Sequence, residues 1–209
     1  YMAVQNEAYQ NAAPADILLS DTGISLKTPN EQFMSYASLW EKSNLDILEV
    51  EASSGPGAER QKYAFCSSAA HFCKLRVNRK TGKVKLERMV TVADGGKIIS
   101  EKAAANQMSG AAVGGIGMAL MEEQQIDERL GTLVGNDFAG YHFPVNADAP
   151  IIEVAFVNKP DPNINPQGSK GLGEVGIIGT AAAIANAIYN ATGKRLRDLP
   201  ITPDKVLLG

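Results

Sequence analysis

Apolar and polar positions alternate most regularly between Tyr63 and Ala93. Leu75 and Val77 alternate with Arg76 and Asn78, turn residues follow at Arg79-Lys80-Thr81-Gly82, and Val84, Leu86, Met89, Val90 and Val92 supply a return strand. This pattern predicts a two-stranded antiparallel ribbon. A smaller hairpin is predicted from Asp16 to Thr28, with Ile17, Leu18 and Leu19 before a turn at Asp21-Thr22-Gly23 and Ile24 and Leu26 after it. Leu45 to Ala52 alternates like a strand up to the break Ser53-Ser54-Gly55-Pro56-Gly57, and Ile151 to Val157 reads as another strand.

Helical spacing predicts three further stretches. Asn30 stands where an N-cap would, before a helix through Trp40. Ala103 to Glu123 forms a second helix whose face carries Gln107, Gly110, Ala111, Gly114, Gly115 and Met118. Glycine costs a helix up to about 1 kcal/mol relative to alanine. Several in one helix therefore imply close approach of another backbone or of a ligand. Glu174 to Thr192 is the third, with Ile184, Ala187, Ile188 and Ala191 at helical spacing and Gly193 as its stop. Asn158 to Lys170 is a Pro/Asn/Asp/Gly-rich loop, and the tail Leu199-Pro200-Ile201-Thr202-Pro203 reads as extended. With no βαβ rhythm, the expected class is α+β, antiparallel strands packed with two long Ala/Gly-rich helices.

Composition narrows the functional classes. The 209 residues are 44% hydrophobic with a net charge of −3, which excludes a mainly disordered chain. No window approaches the roughly 18 apolar residues of a membrane span. The slight acidity and lack of a Lys/Arg run argue against general nucleic-acid binding. Cys66 and Cys73, the only cysteines, are too few for a disulfide framework and are expected to be buried thiols. The first residues lack the pattern of an export signal. The opening Tyr1-Met2-Ala3-Val4-Gln5 has no starting methionine, and the chain is expected to be a segment of something longer.

Candidate chemistry concentrates in Gly168-Ser169-Lys170-Gly171-Leu172-Gly173-Glu174-Val175-Gly176. Gly171, Gly173 and Gly176 match G-x-G-x-x-G, but a Pro/Asn loop rather than a strand precedes them, which argues against a dinucleotide fold. No Lys-Ser/Thr pair follows, so the Walker pattern fails as well. A glycine-rich loop still lets backbone N–H groups approach an anion or an oxygen-rich cofactor. Glu174 falls at or near the expected helix start, where a partial charge of about +0.5 e stabilises a carboxylate. That makes it a candidate general base; the competing reading is a residue that caps its own helix.

Gly171-Leu172-Gly173-Glu174, the run Ala181 to Ile188, Ala191-Thr192-Gly193 and Leu199 to Pro203 resemble the C-terminal end of a known family. Upstream, Asp94-Gly95-Gly96, Gln107-Met108-Ser109-Gly110, Gly115-Ile116-Gly117, Glu122, Tyr141-His142-Phe143-Pro144 and Asp148-Ala149-Pro150 extend the resemblance in order and spacing. The family is that of the molybdenum-binding catalytic subunits of xanthine dehydrogenases and aldehyde oxidases. Asn146-Ala147-Asp148 and the Ala-rich helix resemble its bacterial aldehyde-oxidising branch.

The resemblance implies that Glu174 is the catalytic base, taking a proton from the oxygen that attacks an aldehyde or N-heterocycle carbon. It implies that Gln107 hydrogen-bonds a pterin, and that Ser169, Lys170, Gly171 and Gly173 line the cofactor. It assigns no metal ligand to residues 1–209, which alone are expected to hold the cofactor poorly. The cofactor would be molybdopterin with molybdenum, in its cytosine dinucleotide form. Partners would be the remainder of the molybdenum subunit, a [2Fe-2S] subunit or domain and an FAD subunit. The compartment would be the cytoplasm, or the periplasm if a partner carries an export signal. Members of the family have catalytic subunits several times longer, so residues 1–209 are expected to form a C-terminal cofactor-binding domain or half of a split subunit, inactive alone.

Other residues carry competing readings. Gln107 could be a plain helix-surface amide, and Lys170 a solvated loop charge. His71 reads as a packed core histidine, His142 as structural, and Glu122, Glu123 and Asp127 as a solvated face rather than a metal site. Ser100-Glu101 stands where many family members carry Asn-Pro. The rival function from another class is a non-catalytic assembly module whose Gly/Ala helices pack against a larger subunit.

Overall fold

A computed structural model describes residues 12–27, 33–43, 46, 47, 49, 51, 53, 55 and 57–209. The chain divides into two units, Tyr1–Gly55 and Pro56–Gly209.

In the first unit, β1 (Ile17–Leu19) and β2 (Gly23–Leu26) form the expected hairpin, with Ile17 opposite Leu26 and Leu19 opposite Ile24. A third strand, β3 (Phe33–Ser35), pairs antiparallel with the far edge of β2 and leads into α1 (Tyr36–Ser43). The helix expected from Asn30 therefore starts at Tyr36. Asn30 itself lies outside the described residues. The Ser35 hydroxyl accepts from the Ser38 N–H at 3.2 Å and so takes the capping role. Ile24, Leu26 and Leu39 form the small core. The strand expected over Leu45 to Ala52 is not seen at Asp46, Ile47, Glu49 or Glu51, and the rest of that stretch lies outside the described residues.

In the second unit, β4 (Ser68–Val77) and β5 (Val84–Asp94) form the long antiparallel ribbon. Its turn closes because Asn78 Oδ1 accepts from the Lys80 and Thr81 N–H groups, while Gly82 takes a left-handed φ of 71°. Helix α2 (Glu101–Leu120) starts at Ser100, whose hydroxyl accepts from the Ala103 N–H. A short hairpin follows, β6 (Gln125–Asp127) and β7 (Thr132–Val134). Strand β8 (Ile151–Phe156) then joins the sheet beside β5 in the order β4-β5-β8. It runs parallel to β5. β5, α2 and β8 make one parallel crossover, and the hairpin and loop inserted before β8 keep a βαβ rhythm out of the sequence.

Helix α3 (Thr180–Thr192) stops at Gly193, whose φ of 75° is the left-handed cap conformation. The tail carries no helix from Leu199 to Thr202 and then forms α4 (Pro203–Leu208). Leu86 and Met89 from the sheet, Ala112, Ile116 and Ala119 from α2, and Ile184 and Ile188 from α3 share one core with Ile201 and Val206. The glycines of α2 divide into two kinds. A Cβ at Gly115 would lie 2.5 Å from the Thr180 Cβ, so this glycine is required by close packing of α3. A Cβ at Gly110 would meet nothing within 4 Å.

Candidate functional site

The site is built where the end of β5 meets the glycine-rich loop. Asp94, the last residue of β5, accepts from the Gly96 N–H at 3.0 Å and from Lys170 Nζ at 2.9 Å. Lys170 also lies 3.7 Å from Asp161 Oδ2, and its backbone N–H donates to Gly95 O at 2.8 Å. The Lys170 side chain is only 13% exposed, so it is not a solvated loop charge. Its ammonium ties together three separate stretches of chain. The Lys170 hydrogen bond, followed by the Gly96 N–H, holds the Asp94 carboxyl below its ordinary range. The same bond raises Lys170.

Around this pair, Ser169 bridges Gly96 in antiparallel fashion, and Asn165 holds the loop from inside. Its Nδ2 donates to Ser169 O at 2.8 Å, and its Oδ1 accepts from the Ser169 and Gln167 N–H groups. Loop 165–170 is thus fixed by its own hydrogen bonds, with Ser169 and Lys170 half-buried.

Beyond Lys170 the chain becomes exposed at Gly171, Gly173 and Glu174. The Ser67 hydroxyl donates to Gly171 O. Gln107 Nε2 donates to Gly173 O at 2.8 Å, which brings the face of α2 to the loop. Leu172 packs inward against Ala93, Met108 and Val175. Neither Gly171 nor Gly173 has a positive φ, and a Cβ on either would meet nothing within 4 Å. Gly110 lies one turn along α2 from Gln107, on the same helix face, and is also open. Gly171 and Gly173 beside Gln107, and Gly110 on the Gln107 face of α2, are therefore glycines that the chain's own packing does not require.

Glu174 does not lie on the first turn of α3. Residues 173–179 form successive turns and the helix begins at Thr180. The expected stabilisation by the helix end is corrected accordingly, as is the reading of Glu174 as a cap. Packing explains the delay. Gly176 lies against Ala111 and the Met108 backbone, and Gly179 lies against the His71 ring. These close approaches hold the segment down in turns linked by Ile177 N–H to Glu174 O and Thr180 N–H to Ile177 O. The Glu174 carboxylate is exposed and takes part in no hydrogen bond or ion pair among the described residues.

The remaining candidates make other contacts. Tyr141 donates to Glu122 Oε2 at 2.7 Å, and that bond raises the Tyr141 hydroxyl. Asp127 closes its own turn by accepting from Arg129 and Leu130. His142 is exposed. Cys66 is exposed, correcting the expectation of two buried thiols, because it precedes the strand in an open segment. Cys73 is half-buried, and burial pushes its thiol up to about 11. Asp161, Ser67, Thr91 and the contacts of His71 were not marked in the sequence as parts of the site. Asp94 carried a signal in Asp94-Gly95-Gly96, whereas nothing local distinguishes Ser67 or Asp161.

No helix among the described residues is long and apolar enough to cross a membrane. Residues 3–150 match the molybdopterin cofactor-binding domain family. The aldehyde oxidoreductase molybdenum-binding subunit of Escherichia coli (strain K12) is 46% identical over 171 residues, 82% of this chain and 23% of the relative. The crystal structure of an aldehyde oxidoreductase from Desulfovibrio desulfuricans ATCC 27774 superimposes with a TM-score of 0.60 at 35% identity, covering 68% of this chain and 15% of that one. The structure of a Cu,Mo-CO dehydrogenase in its carbon monoxide reduced state gives a TM-score of 0.77 over 99% of this chain and 26% of that one; at 21% identity this shows a shared fold. The chain spans about a quarter or less of the length of the curated relatives it matches. It belongs to the molybdopterin cofactor-binding domain family.

Proposed function

We propose that these residues are the base-bearing, pterin-facing part of a molybdenum hydroxylase that oxidises aldehydes or N-heterocycles with water-derived oxygen. The observation that carries the proposal is the bond from Gln107 to Gly173 O, which sets a neutral amide beside an exposed carboxylate and two open glycines. The aldehyde oxidoreductase name of the Escherichia coli relative supports the aldehyde arm.

The patch fits a large, polar, phosphate-bearing pterin. Gly110, Gly171 and Gly173 leave space that side chains would fill, and loop glycines expose backbone N–H groups to an anion. The Gln107 amide uses a donor on Gly173 and retains its acceptor and second N–H for a heterocycle edge. Ser169 and Lys170 would line the same group through their backbone, because the Lys170 ammonium is committed to Asp94 and Asp161.

When bound, the cofactor supplies the oxygen nucleophile and takes up the substrate's electron pair. In the proposed mechanism the chain's own part is proton transfer. A Glu174 carboxylate oxygen accepts the proton released as the nucleophile attacks the substrate carbon. Gln107 orients the pterin, and the Lys170–Asp94 pair keeps the loop from collapsing into the open space. The complete enzyme would carry the cytosine dinucleotide form and pass electrons to [2Fe-2S] and FAD partners. Metal analysis and nucleotide release from the natural complex test the proposal: stoichiometric molybdenum with cytidine monophosphate is expected. A complex with neither would contradict it and favour an assembly module.

A further inference from the structure

We infer that His71 is a positioning residue for Glu174, acting through the carbonyl of Val175. The inference rests on the reading of Glu174 as the base and deepens it. His71 lies on β4 and Thr91 on β5, and their side chains meet on the sheet face beneath the turn that carries Glu174. His71 Nε2 is 3.2 Å from Val175 O, and Nδ1 is 3.1 Å from Thr91 Oγ1. A carbonyl oxygen only accepts, so Nε2 carries the hydrogen. In the neutral ring Nδ1 is then an acceptor, and the Thr91 hydroxyl donates to it. Thr91 is fully buried, so this donor has no competing water. Burial also pushes the His71 imidazole below its ordinary value, which favours the neutral ring.

The arrangement clamps the base from both sides. The carbonyl before Glu174, that of Gly173, accepts from Gln107 on α2, and the carbonyl after it, that of Val175, accepts from His71 on β4. Gly179 completes the seat, because a Cβ there would run into the imidazole ring. Between the two held carbonyls, the Glu174 side chain is exposed. Its backbone is therefore fixed by two elements of the scaffold while its carboxylate stays available. A displacement of about 1 Å in a reacting group can cost 100-fold in rate, so this clamp bears on turnover and not only on folding.

The test uses the assembled, cofactor-loaded enzyme with its full-length molybdenum subunit. In wild-type protein labelled with nitrogen-15 in its histidine rings, His71 should show a protonated Nε2 and a bare Nδ1. The opposite tautomer would overturn the inference without any variant. His71→Leu should lower kcat by about 10- to 100-fold with KM and molybdenum content unchanged. It should also speed amide exchange at Ile177, whose N–H bonds to Glu174 O. His71→Gln, which can place an amide N–H near the position of Nε2, should recover most of both losses. Equal kcat in wild type and His71→Leu, or no recovery in His71→Gln, would overturn the inference. Glu174→Gln is measured alongside. If it turns over like wild type, the base reading itself fails; if it is inactive while His71→Leu keeps full kcat, only the positioning role fails.

Discussion

Gln107 donates from Nε2 to Gly173 O across 2.8 Å, joining a helix residue to a loop glycine 66 positions later in the sequence. Removing the donor should open the patch. Gln107→Glu replaces the amide with a carboxylate that cannot donate to Gly173 O, and the two oxygens repel. Molybdenum content of the full-length subunit should fall markedly, while unfolding free energy drops by only about 1 kcal/mol, the net value of one such bond. Metal analysis alongside urea unfolding checks this. Unchanged metal content would show that Gln107 does not serve the cofactor.

The two kinds of glycine in α2 should respond in opposite directions. Gly110→Ala should stabilise the helix by up to about 1 kcal/mol, since its methyl group meets nothing in the chain. It should nevertheless lower cofactor loading by intruding on the open space beside Gln107. Gly115→Ala should destabilise by about 1–3 kcal/mol, because the new methyl group is forced onto Thr180. Thermal unfolding and metal content measured on both variants separate packing from cofactor access. A Gly110→Ala subunit that is more stable and fully loaded would contradict the placement of the cofactor.

Acid should remove stability in two stages. Burial holds His71 below its ordinary value of 6.5, so on acidification the unfolded chain takes up a proton there before the folded one does. The contribution of His71 is complete above about pH 6.5 and declines from there to the lower folded value. Asp94 supplies the second stage. Its carboxyl, held below 3.8 by Lys170 and then by the Gly96 N–H, stabilises the fold above the unfolded value and loses that effect as the pH falls through the folded one. Urea unfolding across this range should show both stages. The first should vanish in His71→Gln and the second should shrink in Lys170→Met; identical curves for all three proteins would contradict the assignment.

How much of this was legible in the sequence depended on the range of the forces involved. The β4–β5 ribbon was legible because alternation around Leu75 and Val77 and the turn ending in Gly82 are local properties of the chain. The Gly193 stop was legible for the same reason. The start of α3 was not. Ile177 and Ile178 continue a helical spacing, and only the approach of Met108 to Gly176 and of His71 to Gly179 holds that stretch in turns. The parallel placement of β8 likewise depends on its pairing with β5, across the whole of α2 and the hairpin. Within the site, the glycines and Glu174 were marked by composition and by resemblance. Lys170 is marked by the resemblance as lining the cofactor, but its ion pair is not legible, because Asp94 lies 76 residues before it and nothing local pairs them. Locally His71 reads as a packed histidine, because its bond to Val175 O spans 104 residues.

In the proposed mechanism Glu174 alone takes the proton, and its neighbours hold it and the cofactor in place. Glu174→Gln keeps the size and polarity of the side chain but removes its capacity to take a proton. In the assembled enzyme, with molybdenum content determined on the same sample, turnover of an aldehyde should fall by about 100- to 10,000-fold. Because the side chain is exposed, unfolding free energy should change by no more than about 0.5 kcal/mol. A fully loaded Glu174→Gln enzyme with wild-type turnover would contradict the account.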